Sequence, residues 1–524
     1  MRRRRVLLPI PSTLIAAPCC ALLLAGCGAD EPRKVESSSK PIPATQPLQV
    51  DDAANEGSNL VVDEDGFTYV LVPTDGDEED TEDDDARPGE GGPADTAPNV
   101  AQVVRLTPSG KLDREYGDDG HVDVQFEDGD YVSFTAQRIA ASGDEHLVIA
   151  GSVSPAPIED PDEATFDERE AAKVQSLGIT RITVDGELDE TFGGTGAISF
   201  SLVEVGLEEE RIEVLALLPD EDGITLSVGR SANAGVATTF LRLLPDGTPD
   251  RATWNEGSED LFDAEQRDAY SPVSLAQAAN GDVTYAFRDG AGPLSPIGEP
   301  SNYEDAVFAA VPYELDHANR SLRSPSGLSA ISVLDDGVIL GLHVLNNDEE
   351  AENVSLVTRQ AADGTIDEEF GAGSLEEADL PTKPDGTAKQ LPPDEGVTWL
   401  DPFEQVGIGQ RIAVDDDGSI YVAGPGRDDS DELRVVKLRE DGTVDETWGE
   451  DGMVRAEFTI ADEYMYRQPH VDGIQLLEDG ALLVLVYQDA GPYFGRSVYR
   501  ITKDGELDGR WGKAGVATVR PTLP

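Results

Sequence analysis

"VVKLREDGTVDETWGEDGMVRAEF", Val435 to Phe458, is written again as "VYRITKDGELDGRWGKAGVATVR" from Val498 and stands earlier as "ITRITVDGELDETFGGTGAISF" from Ile179. Aligned on the Gly of an Asp-Gly or Ser-Gly pair, six copies fall into register at Gly110, Gly186, Gly247, Gly364, Gly442 and Gly505. Five residues before each Gly stands a base: Arg105, Arg181, Arg242, Arg359, Lys437 and Arg500. Three residues after it stands Asp113, Asp189, Asp250, Asp367, Asp445 or Asp508. Six after comes a ring in Tyr116, Phe192, Phe370, Trp448 and Trp511, with Trp254 displaced by one, and ten after comes Gly120, Gly196, Gly257, Gly452 or Gly515.

Apolar residues flank the base, so it projects from one side of a half-buried strand with period two. Asp-Gly supplies the positive φ of a tight turn, and the later Gly opens a second turn into another strand such as "MVRAEF". Upstream of each unit lies a further strand pair around a turn, as in "NLVVDEDGFTYVLV" from Asn59, "AISVLDDGVILGLH" from Ala330, "RIAVDDDGSIYVAG" from Arg411 and "GIQLLEDGALLVLV" from Gly473. Four strands therefore make one unit.

Further units start near Ile139, Val214 and Leu275, and in the last "AVFAAVPYELDHANR" from Ala306 fills the third-strand slot without Asp-Gly. The chain thus reads as all-β: a β-propeller of seven four-stranded blades over 58–524, at about 58–126, 135–202, 211–262, 271–327, 328–380, 409–458 and 470–524. A β-helix is disfavoured, because its rungs are much shorter. The repeat resembles the delta-60 repeat family, with its Arg-Leu segment, Asp-Gly, apolar-Asp and aromatic-Gly pairs. That resemblance implies a β-propeller, often exported, and no common reaction; the fourth unit departs from its pattern.

The N-terminus carries a different signal. Arg2 to Arg5 precede an apolar stretch that ends in "LLAGC", so residues 1–26 read as a secretory leader. Leu24, Ala25, Gly26 and Cys27 match a bacterial lipobox, which makes Cys27 the lipidated first residue of the mature chain. Residues 27–57 then form a tether rich in Pro, Ser and charge. The expected address is extracytoplasmic, anchored in a membrane of the cell envelope. Cys19 and Cys20 lie within the leader, so the exported chain is expected to hold no disulfide, thiol nucleophile or cysteine metal site.

A formal net charge of -66 over 524 residues argues against nucleic acid, whose phosphates demand clustered Lys and Arg. It suits a solvated monomer, or a surface that attracts cations or a basic partner. The recurring bases and acids point to scaffold: each base is expected to pair with its own Asp across the hairpin, and each ring and Gly to wedge blade against blade.

Symmetry breaks in the insertions from Pro73, Ser154, Arg288 and Glu376. The first three are read as second-to-third-strand connections and the fourth as the link from the fifth unit to the sixth, so all four should emerge on one face. That acidic loop face is the expected contact for a protein, glycan or cation.

Motifs for chemistry are thin. "DDDG" at Asp415 and "DEDG" at Asp63 lack the remainder of an EF-hand and read as turns. His121, His146, His317, His343 and His470 show no zinc-ligand spacing. There is no nucleophile elbow, P-loop or dinucleotide fingerprint. No cofactor is implied, Ca2+ remaining a candidate. Three functions stay open: a binding scaffold, a lyase, lactonase or sugar dehydrogenase working in the central funnel, and a calcium-stabilised surface protein.

Overall fold

The computed structural model describes residues 60–73, 101–124, 126, 131–155, 175–201, 211–220, 222–232, 235–250, 272–277, 283–287, 290–293, 327–334, 338–347, 352–361, 367–371, 396–400, 406, 409–426, 432–458, 470–490 and 493–520. The leader, the lipobox from Leu24 to Cys27, the tether and most of each acidic insertion lie outside these residues.

Every regular element among the described residues is a strand. Sheet one holds β1 (Leu60–Val62), β2 (Thr68–Pro73), β3 (Ala101–Leu106) and β4 (His121–Val124). Sheet two holds β5 (Tyr131–Ser142), β6 (His146–Pro155), β7 (Ser176–Thr183) and β8 (Ala197–Ser201). Sheet three holds β9 (Arg211–Asp220), β10 (Gly223–Ala232) and β11 (Gly235–Leu243), and sheet four β12 (Pro272–Gln277), β13 (Val283–Phe287) and β14 (Gly290–Pro293). Sheet five holds β15 (Gly327–Val333), β16 (Ile339–Asn347), β17 (Glu352–Gln360) and β18 (Val397–Leu400). Sheet six holds β19 (Arg411–Val414), β20 (Ile420–Pro425), β21 (Glu432–Leu438) and β22 (Met453–Glu457), and sheet seven β23 (His470–Leu476), β24 (Leu482–Ala490), β25 (Tyr493–Ile501) and β26 (Val516–Val519).

Each sheet is an antiparallel meander in sequence order. The first strand of each contacts the first strand of the next, and β23 returns to β1, so the first strands close a ring. Apolar residues of neighbouring sheets interleave between them. Leu177 and Phe192 of sheet two pack with Val214 and Leu226 of sheet three, and Trp448 and Val435 of sheet six with Val484 and Tyr499 of sheet seven. Residues alternate along each strand, so the two faces of one sheet serve two different cores.

The Asp-Gly hairpin is built alike in sheet after sheet. The N–H groups of Gly110, Gly186, Gly247, Gly442 and Gly505 donate to Thr107, Thr183, Leu244, Arg439 and Thr502 at 2.8–2.9 Å. All five glycines have φ between 72° and 88°, the left-handed conformation that residues with a Cβ avoid. The chain then folds back onto the peptide of the base. In sheet six Lys437 N–H donates to Gly452 O at 3.0 Å, and Asp445 N–H to Lys437 O at 2.9 Å. Arg105, Arg181 and Arg500 repeat both bonds.

Two boundaries differ from the sequence reading. The third strand of sheet four is Gly290–Pro293, which pairs with β13; the segment from Ala306 lies outside the described residues. In sheet five the unit does not end at 380, because Val397–Leu400 pairs with β17 as a fourth strand. The stretch from Glu376 is therefore an insertion inside unit five, between its third and fourth strands. It interrupts the spacing between Phe370 and Gly396, whose φ of 79° matches that of Gly196 and Gly452. It leaves the sheet on the Asp-Gly rim, opposite the insertions from Pro73 and Ser154.

Candidate functional site

Two places concentrate polar chemistry: the Asp-Gly rim, and the half of each first strand nearer the other rim. On the Asp-Gly rim the base of one sheet bridges its own Asp and the next sheet. Arg105 Nε donates to Asp113 Oδ2 at 2.8 Å, and its Nη1 to Val184 O, in the turn of sheet two, at 2.9 Å. Arg181 Nε donates to Asp189 Oδ2 at 2.6 Å, and its Nη1 to Pro245 O in the turn of sheet three. Arg359 Nε lies 3.7 Å from Asp367 Oδ2, while Nη1 donates to Glu440 O of sheet six at 3.0 Å.

Val184, Pro245 and Glu440 all stand two residues before the turn Gly of the following sheet. The shorter Lys437 pairs with Asp445 at 3.7 Å. Arg500 lies 3.2 Å from Asp508 and also pairs with Asp479 of its own sheet.

Arg242 departs from the pairing expected with Asp250. Its guanidinium binds both oxygens of Asp220 at 2.8 Å and Thr225 Oγ1 at 2.7 Å, and Asp250 is tied to it through the backbone, N–H to Arg242 O at 3.0 Å. Thr225 is directly opposite Arg242 in the ladder, and Asp220 ends the adjoining strand β9. The base thus has an acid within reach on its own sheet, and the fourth unit has no Asp-Gly turn to offer instead.

The rings complete the joint. A Cβ on Gly247 would meet Phe192 at 2.9 Å, one on Gly442 would meet Phe370 at 2.8 Å, and one on Gly505 would meet Trp448 at 3.0 Å. Trp511 of the last sheet lies under Gly110 of the first. The N–H after the ring crosses the same seam: Gly193, Gly371, Gly449 and Gly512 donate to Asp246, Asp441, Asp504 and Ser109 at 2.7–3.0 Å. Arg105 and Arg181 also sit over the rings of Tyr116 and Phe192, at 4.5 and 4.8 Å.

These bonds leave their mark on the carboxylates. Burial alone would raise the pKa of Asp189, but hydrogen bonds from Thr191 and the Arg181 charge outweigh it and hold the group below its ordinary value. At Asp63 the balance reverses: burial prevails over hydrogen bonds from Phe67 N–H and the Tyr69 hydroxyl, and its pKa rises.

The second place is the ring of first strands. A β-bulge recurs there, with an extra residue at Gln137, Leu215, Val273, Ser329 and Asp472. Bulges increase twist where strands converge and re-aim side chains. Gln137, at the bulge of β5, and Gln410, just before β19, carry the same device. Gln137 accepts from Val214 N–H at 2.5 Å and donates to Ile212 O at 3.2 Å. Gln410 accepts from Val471 N–H at 2.6 Å, and its Nε2 lies 3.1 Å from His470 Nδ1. Each amide thereby caps the edge of the next first strand. The guanidinium that follows lies along the same edge: Arg138 donates to Leu215 O and Gln137 O, and Arg411 to Gln410 O.

The written signal for this device is "AQRIA" from Ala136 and "GQRIA" from Gly409. It is a repeat the Asp-Gly alignment passes over.

Sheet seven breaks the symmetry. His470, Tyr487 and Arg496 lie directly opposite one another across three strands. Arg496 Nε lies 3.6 Å from Asp472 Oδ2, the two side chains being 2% and 1% exposed, and Arg496 sits over the Tyr487 ring at 5.2 Å. The equivalent third-strand residues, four before the base, are buried and apolar in Ala101, Leu177 and Leu433. A donated bond from Gln410 fixes His470 as the tautomer protonated on Nε2. Such a row can bind and orient a polar group; it does not form a nucleophile–base pair.

Two other histidines have local partners, and His317 lies outside the described residues. His343 is buried, with its pKa pushed down to about 4 by desolvation, and lies 3.1 Å from Thr358 Oγ1. His146 Nε2 lies 3.3 Å from Asp189. Among the described residues no group of three or more His, Cys, Asp and Glu is placed to hold a metal ion.

A family model described as a domain of unknown function (DUF5122) β-propeller matches residues 416–447, from the first turn of sheet six into the connection between β21 and β22. No curated protein matches the chain. Among solved structures, a protein of unknown function from Dyadobacter fermentans is similar at 9% identity and a TM-score of 0.33, over 87% of this chain and 96% of that one. A Bombyx mori GH32 β-fructofuranosidase mutant in complex with sucrose is similar at 11% identity and a TM-score of 0.25, over 92% of each chain. Likeness so distant transfers no chemistry. The family match and the closed ring of antiparallel meanders agree on the fold: the chain is a β-propeller.

Proposed function

We propose that the protein is a seven-bladed, delta-60-type propeller, anchored through a lipidated Cys27 outside the cytoplasmic membrane, that acts as a monomeric binding scaffold. The observation that carries this reading is the division of labour between the rims. On the Asp-Gly rim Arg105, Arg181 and Arg359, with the rings and glycines, are engaged in joining sheet to sheet, and Arg242, Lys437 and Arg500 are paired with acids of their own sheets. Recognition then falls to the opposite rim, where the connections from Pro73 and Ser154 leave their sheets with 11 and 7 Asp and Glu residues over 74–100 and 156–174. A face so charged favours a basic or cationic partner and steers it from a distance.

The test uses affinity capture from an envelope extract at two salt concentrations. One bait is the intact mature chain; a second has residues 74–100 and 156–174 shortened. A partner held by the first bait at low salt, weakened at high salt and lost by the second supports the reading. Equal capture by both removes the loop face from consideration. In the same cells Cys27→Ser is expected to move the protein from the membrane to the soluble envelope fraction; retention in the membrane contradicts the anchor.

A further inference from the structure

Each sheet turns one face to the sheet before it, and the same ladder positions build that face each time. Leu226, Val228 and Leu243 of sheet three meet sheet two there. Val484, Val486 and Ile501 of sheet seven meet sheet six, and Val70, Val72 and Leu106 of sheet one meet sheet seven. Sheet five departs at all three positions. Gly341 stands where Val70, Leu226 and Val484 stand, His343 where Val72, Val228 and Val486 stand, and Gln360 where Leu106, Leu243 and Ile501 stand. Sheets two and six have Ile149 and Val422 in the Gly341 position, and Ile182 and Leu438 in the Gln360 position.

Val357 and Thr398 of sheet five face sheet six. Alternation along the strands puts His343, Thr358, Gln360 and Trp399 on the other face, the side on which β12 and β13 pack against β15. His343 and Thr358 satisfy each other at 3.1 Å. Gln360 and Trp399 are 1% and 3% exposed, yet Gln360 Nε2 and Oε1 and Trp399 Nε1 find no hydrogen-bond partner among the described residues. Buried polar groups are costly without a partner, and native interiors supply one. Gly341 is buried and lies directly opposite Thr358, so the volume that Val, Ile or Leu fills in other sheets is not filled from this one.

We propose that the seam between sheets four and five holds a binding site for a small uncharged, hydroxyl-rich molecule of the disaccharide class, held by Gln360 and Trp399 beside Gly341. A hydroxyl both gives and takes hydrogen bonds, so it can accept from Gln360 Nε2 and Trp399 Nε1 and donate to Gln360 Oε1. The described side chains of this face carry no formal charge, and desolvation keeps His343 neutral at pH 7, so a charged ligand would be buried unpaired. Trp399 is opposite Leu356, four residues along β17 from Gln360 and so about 13 Å away along the strand, the span of a disaccharide. Gln360 ends β17 at the Asp-Gly rim, beside the exposed Ala361, so this site is separate from the acidic loop face of the opposite rim.

The test follows thermal unfolding of the intact mature chain while maltose, trehalose and glycerol are titrated separately. One of the disaccharides is expected to raise Tm along a saturating curve, whereas exclusion of a solute from the protein surface raises it without saturation, as glycerol should. Gln360→Leu installs the residue type of the other sheets and should fold; its apparent dissociation constant is expected to rise at least about tenfold, the loss of more than one hydrogen bond. Trp399→Phe should weaken binding about fivefold. No saturating shift with either disaccharide, or one that Gln360→Leu leaves unchanged, overturns the proposal and leaves ordered water as the partner of these groups. A lower Tm of unliganded Gln360→Leu would mean that Gln360 has a structural partner, and overturns it as well.

Discussion

Arg181→Ala is expected to destabilise the folded protein by about 3–5 kcal/mol, the range for removing one partner of a buried ion pair. The side chains of Arg181 and Asp189 are 10% and 8% exposed, so the carboxylate left behind has little access to water. The same substitution strips Pro245 O and Thr191 Oγ1 of a donor and Phe192 of its cation, and so loosens two sheets at once. The pH response should change with it. Asp189 is held below its ordinary pKa, so its contribution is present above the unfolded value near 3.8 and is lost as pH falls through the lower folded value. In the variant that acid-linked loss should shrink.

Arg114→Ala provides the contrast. Arg114 and Asp119 form an ion pair as short, 2.7 Å, but 71% and 61% exposed, and the change should stay within about 1 kcal/mol. Urea unfolding of the two variants checks both figures; equal losses would mean that the repeated base is not a joint.

Trp448→Ala is expected to cost about 3–5 kcal/mol. The ring is 3% exposed, lies edge-on to Tyr421 at 5.6 Å, and fills the space beneath Gly505 of the next sheet. Gly505→Ala attacks the same joint from the other side. Its φ of 82° costs an L-residue about 1–2 kcal/mol, and its Cβ would fall on the backbone nitrogen of Gly449, so main chain must move. Because both changes break one contact, the double variant should lose less than the sum. Gly143→Ala isolates the backbone term, since Gly143 has φ of 66° with open space where a Cβ would go. Thermal unfolding that ranks Gly143→Ala with Gly505→Ala would contradict the wedge.

Most of this joint could be read from spacing alone. A base, a turn Gly, an Asp and a ring at fixed offsets mark a hairpin folded back on itself, and the apolar residues on either side of the base in "VVKL" mark the strand before it. What spacing could not give is the partner across the seam. That Arg181 reaches Pro245, or that Trp511 lies beneath Gly110, depends on how sheets stack, and the contacts join residues far apart in sequence.

Sheet five differs from the spacing rule for a related reason. An insertion moved Gly396 out of its expected place, so "VTWL" looked like linker although it carries the strand pattern. Arg242 shows the limit of alignment itself: its slot in the repeat is intact, yet its guanidinium binds Asp220 rather than Asp250. The buried Asp472–Arg496 pair left no motif at all. It stands out only against Ala101, Leu177 and Leu433, the apolar residues that fill the Arg496 position in sheets one, two and six.

The most direct measurement is an experimental structure of the mature chain by crystallography or cryo-electron microscopy, viewed down the channel. The account predicts seven blades in a closed ring, with Trp511 of the last blade under Gly110 of the first and the guanidiniums of Arg105, Arg181 and Arg359 on the turn carbonyls of the following blades. A different blade count, an open array, or those guanidiniums turned to solvent would contradict it.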